Sequence, residues 1–61
     1  MKYKVIAEDL FYYGVHDLPN WDRTEFIIVC MYDYNICKKT AEKVYDEYHK
    51  LIAVHKLTGV V

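Results

Sequence analysis

The sequence predicts an α+β domain, a small antiparallel sheet of two or three strands packed by one C-terminal amphipathic helix. Three observations carry that prediction. Glu25 to Tyr32 holds the longest unbroken apolar run, rich in β-branched and aromatic side chains and of a length that suits one buried strand. Lys2 to Glu8 alternates, with Tyr3, Val5 and Ala7 on one side and Lys2, Lys4 and Glu8 on the other. Beyond Asn35, apolar residues recur at spacings of three and four, the period of a helix face.

In chain order, the first strand covers about 2–8, with Ile6 the exception on its polar side. Its lysines suit a sheet edge, where charge discourages stray pairing. Asp9 to Val15 fits either a continuation of that strand past a bulge or one short helical turn stopped by Gly14, and its aromatic content favours the strand. His16 to Arg23 is a loop, in which Pro19 presets the first central position of a turn and Asn20 suits the second. The central strand covers about 24–34 and runs antiparallel to the first, because the loop is too short for a parallel crossover. It turns Phe26, Ile28, Cys30 and Tyr32 to one face and Ile27, Val29 and Met31 to the other. Asp33 or Asn35 then caps a helix over about 36–56. Its stripe is Cys37, Ala41, Val44, Tyr48, Leu51, Ile52 and His55, flanked by Tyr45, and Asp46 pairs with Lys50 at i,i+4. Lys38 and Lys39 oppose the helix dipole, which would place the true start at Thr40. Residues 57–61 either add a third strand or fold over the core.

A chain of 61 residues forms one domain, 1–61. It buries only about 60% of the surface its unfolded form exposes, so self-association is a natural route to stability. Two cysteines without a leader or a membrane-length apolar segment point to the cytoplasm and to reduced thiols. Eight basic and nine acidic residues give a net charge of −1, which argues against a generic nucleic-acid or membrane binder. The charge is uneven: three bases face six acids through Asn35, and five bases face three acids after it. A basic helix face at Lys38, Lys39, Lys43 and Lys50 keeps a small nucleic-acid-binding module as the alternative.

The sequence shows no catalytic, cofactor or metal-binding pattern. His49 and His55 fall on different helix faces, and Cys30 and Cys37 lack a second cysteine pair. Cys37, beside Lys38 and Lys39 at a helix start, is the better candidate for an activated thiol. What the sequence does offer is contact area. One helix covers one sheet face, so Ile27, Val29 and Met31 are left as a homodimer interface. Seven Tyr, two Phe and one Trp exceed what so small a core can enclose, and Tyr and Trp lead the residues on which protein contacts depend. The expected partner-binding residues are Tyr12, Tyr13, Trp21, Asp22, Asp33 and Tyr34.

In size and style the chain resembles the small phage-encoded anti-defence and host-takeover inhibitor proteins. The shared character is a compact, motif-free, aromatic-rich chain. That resemblance implies a non-enzymatic inhibitor or adaptor that works in the host cytoplasm by occluding a bacterial defence or regulatory protein.

Overall fold

The protein is a bundle of three helices in a computed structural model, which describes residues 2–58. Helix α1 spans Tyr3–Tyr13, α2 spans Arg23–Tyr34 and α3 spans Lys38–Thr58. A single 3-10 turn at Leu18–Asn20 lies in the connection between α1 and α2. Tyr3 lies by Lys43, and eight residues later Phe11 lies by Tyr48 and His55, so α1 and α3 run the same way. Helix α2 also packs against α3, its Arg23 and Phe26 lying by Tyr45.

The α+β prediction is therefore overturned: there is no strand among the described residues. The predicted strand 2–8 and the ambiguous 9–15 segment form α1. Their period emerges only when they are read together, since Tyr3, Ile6, Ala7, Leu10 and Phe11 pack inward at i, i+3, i+4, i+7 and i+8. Val5, which fitted the alternation, is 51% exposed. The predicted strand 24–34 is α2, with Phe26, Ile27 and Cys30 buried and Met31 and Tyr34 packed beside them. Its outward positions Ile28 and Tyr32 are apolar too, and that concealed the helical stripe inside a continuous run. The two-face division of this segment fails with the strand. Ile27 is a core residue, whereas Ile28 and Tyr32, expected under cover, lie exposed. The third strand at 57–61 overlaps the end of α3, and residues 59–61 lie outside the described residues.

The C-terminal helix has the predicted place, over Lys38–Thr58 against the expected 36–56, and the middle of the predicted stripe, whereas Cys37, which precedes it, is exposed. Ala41, Val44 and Tyr48 are buried, and Leu51 and Ile52 pack against the core. His55 is exposed and lies on Phe11, with ring centroids 4.6 Å apart. Lys50 pairs with Glu47 at 3.6 Å rather than with Asp46. Asn35 ends α2 instead of capping α3: it adopts a left-handed conformation (φ 53°, ψ 52°), and the Ile36 amide donates to the Met31 carbonyl. Such a stop favours Gly and then Asn. The first α3 bond is made by the Ala41 amide to the Cys37 carbonyl, so Cys37 occupies the cap position.

The core joins all three helices and the loop: Ile6 and Ala7 from α1, Leu18, then Phe26, Ile27 and Cys30 from α2, and Ala41, Val44 and Tyr48 from α3. Phe26 is its centre, 1% exposed, with its ring 5.1 Å from Tyr45 and 5.2 Å from Tyr48. His49 completes this aromatic group at 4.5 Å from Tyr45, and its Nε2 is buried without a hydrogen-bond partner. At the surface, Arg23 lies over the Tyr45 ring and reaches Glu42 at 3.8 Å.

Candidate functional site

Helix α1 ends against the loop in a manner that only glycine permits. A Cβ at Gly14 would lie 2.4 Å from the Leu10 carbonyl oxygen and 2.9 Å from Leu18 Cδ2. The loop then folds back. The Leu18 amide bonds to the Val15 carbonyl and the Trp21 amide to the Leu18 carbonyl, which is the turn Pro19 and Asn20 predict. Leu18 is thereby buried and Trp21 half-buried against the core.

Above this folded loop the C-terminal end of α1 and one face of α2 stay apart. They enclose a cleft of about 210 Å³. Leu10, Leu18, Phe26, Val29 and Cys30 form an apolar wall, while Tyr13, Trp21, Asp33 and Tyr34 contribute aromatic surface and polar groups. Tyr13 is 83% exposed, and Tyr12 beside it is 62% exposed. At one side the Tyr34 hydroxyl donates to Asp9 Oδ2 at 2.8 Å. Burial, that hydrogen bond and the negative charge of Asp9 and Asp33 all raise the Tyr34 hydroxyl above the ordinary tyrosine range. Burial, followed by the charge of Asp33, pushes the Cys30 thiol up to about 11. The cleft is thus apolar inside, with the carboxylates of Asp33 in its lining and Asp9 beyond the Tyr34 hydroxyl.

Four of the expected partner-binding residues, Tyr13, Trp21, Asp33 and Tyr34, therefore meet on one cleft. Tyr12 stands next to it, its ring 6.5 Å from Tyr13 and 6.3 Å from His55. Asp22 is exposed at the start of α2, outside the lining. The three expected dimer residues separate. Val29 lines this cleft, while Ile27 and Met31 border a second concavity of about 290 Å³ with Arg23, Thr24, Ile28 and Lys38. Leu10 and Ile28 went unselected in the sequence, although a helical reading of 3–13 and 24–34 would have placed both.

The two thiols differ sharply. Cys30 is buried, and Cys37 is exposed at the head of α3. Cys37 Sγ lies 3.3 Å from the Thr40 hydroxyl. That contact and the amides of Thr40 and Lys39 lower its thiol below the usual range. Among the described residues no three His, Cys, Asp or Glu side chains converge as metal ligands, and no helix is long and apolar enough to cross a membrane. No protein-family model matches the chain, and searches of curated proteins and of solved structures return no match.

Proposed function

We propose that this protein is a non-enzymatic binding module, an inhibitor or adaptor that engages a partner protein through the cleft between α1 and α2 and so occludes part of that partner. The observation that carries this reading is the cleft itself, with an apolar interior bordered by Tyr13 and Trp21. A volume of about 210 Å³ is small beside the roughly 300–1,000 Å³ of small-molecule sites and suits an inserted side chain better than a cofactor. Exposed tyrosines next to a concave apolar surface are the usual makings of a protein contact. The cytoplasm and a bacterial defence or regulatory protein as target follow from the resemblance to phage-encoded inhibitors.

Self-association belongs to the same proposal, with its face moved by one position on α2. Ile28 and Tyr32, 47% and 83% exposed, stand beside half-buried Met31 and Ile36 on the outer side of that helix. A small bundle gains stability by covering such a surface with a second copy. Light scattering of the wild type and of Tyr32→Lys tests this part; a wild-type mass of one chain removes the homodimer.

The docking role is tested by a photoreactive phenylalanine placed at Tyr13 and, as a control, at exposed Asp46 on α3, in capture from bacterial lysate. A discrete adduct at Tyr13 and none at Asp46 is the expected result. Equal labelling at both positions, or none at either, rejects the cleft as the contact.

A further inference from the structure

The geometry points to the chemistry of the partner: a basic amphipathic segment that inserts one apolar side chain into the cleft and sets flanking Lys or Arg side chains against Asp33 and Asp9. This inference rests on the docking role proposed for the cleft. Three observations support it. Asp33 is the one charged side chain among the described lining residues, none of which is basic. Asp9 lies outside the lining but accepts the hydrogen bond of the Tyr34 hydroxyl at 2.8 Å, which sets its carboxylate next to a lining residue. The ion pairs found among the described residues, Arg23–Glu42 and Lys50–Glu47, leave both of these aspartates without a cation.

Asp33 and Asp9 are exposed carboxylates with no ion-pair partner among the described residues, so a cation brought to this side meets negative charge that is not already neutralised. A phosphate backbone or an acidic peptide would be repelled here, and a neutral apolar ligand would leave the carboxylates unused. A segment with Lys or Arg one helical turn from an apolar anchor uses both parts of the site at once. The cation-bearing residues would remain at the solvent edge, where they steer encounter and add modestly to affinity, while the anchor removes apolar surface from water.

Trp21 is the chain's single tryptophan and lies in the cleft wall, so its emission reads occupancy directly. The probes are an amphipathic helical peptide of leucine and lysine, its leucine and glutamate counterpart, and lysine oligomers without leucine. The leucine–lysine peptide is expected to shift Trp21 emission saturably. The Asp9→Asn, Asp33→Asn double variant should bind it about five- to tenfold more weakly, and added salt should narrow that gap. The glutamate counterpart and the leucine-free oligomers should give no saturable shift. Both substitutions lie on exposed carboxylates, and an unchanged circular dichroism spectrum confirms that the double variant is folded. Equal binding of the lysine and glutamate peptides overturns the basic-partner inference but leaves docking at the cleft standing. No shift with any peptide, together with absent Tyr13 crosslinking, overturns both. Loss of the wild-type dimer in the double variant would assign the cleft to a second copy and equally overturn the inference.

Discussion

Along α1, Ile6 and Ala7 are fully buried in the core that also takes in Ala41 and Val44 of α3, whereas one turn further on Leu10 stands at the edge of an open cleft facing α2. Both regions are built from aliphatic and aromatic side chains, so composition does not separate them. Distance does. On the α3 side the small side chains Ala7 and Ala41 let helices come close, and Phe26, Val44 and Tyr48 fill what remains. On the α2 side the tight stop at Gly14 and the folded loop hold the end of α1 away, and Leu18 and Trp21 fill only the bottom of the gap. The lesson is that the apolar side chains of so small a bundle divide into those that seal the fold and those that remain available to another molecule.

Substitutions should separate the two regions. The largest loss is expected at Phe26, where truncation to alanine removes the centre of the aromatic group and costs about 3–5 kcal/mol. That is as much as a core of this size supplies. Thermal melting followed by circular dichroism should therefore show no cooperative transition for Phe26→Ala and a reduced one for Phe26→Leu. Next is Gly14→Ala, at about 1–3 kcal/mol, because the added carbon meets backbone rather than a movable side chain. Urea midpoints check this, and an unchanged midpoint would mean that the α1 stop is not rigid.

A smaller effect should appear only at high pH. The Cys30 thiol and the Tyr34 hydroxyl both lose protons less readily folded than unfolded, since burial, and then nearby carboxylate charge, favour their neutral forms. Their contribution is complete below the ordinary values and is lost as pH rises through about 9 to 11 for Cys30, and upward from about 10 for Tyr34. Stability measured across that range should fall, and Tyr34→Phe should lessen the fall while costing below about 1 kcal/mol at neutral pH. With no stability change at all, the thiols should differ in reactivity: iodoacetamide at neutral pH should modify exposed Cys37 in the native protein and reach Cys30 only after denaturation.

The helix at 38–58 was legible because charged residues such as Lys39, Glu42, Lys43 and Asp46 mark its outer face and leave the apolar stripe in relief. In α2 that contrast is missing. Ile28 and Tyr32 point outward from the same run that buries Phe26, Ile27 and Cys30, so neither a period of two nor one of 3.6 stands out. In α1 the misleading feature was length, since seven residues with Val5 in step imitate a strand and only the following turn, Leu10 and Phe11, restores the helix. For the site, Tyr13, Trp21, Asp33 and Tyr34 were visible as residue types, but their meeting depends on how α1, the loop and α2 pack, which local pattern does not encode. The self-association face shifted from Ile27, Val29 and Met31 toward Ile28, Met31 and Tyr32 for the same reason, because the local period decides which side chains are left over.

Tyr13→Ala tests most directly whether the open cleft serves binding while the sealed core serves the fold. Tyr13 is 83% exposed at the cleft, so its truncation should change stability by less than about 0.5 kcal/mol. The same variant, compared with the wild type in capture of the crosslinked partner, should lose most of the complex. An unchanged melting curve with capture lost is the predicted result; a lowered melting temperature with capture intact would contradict it.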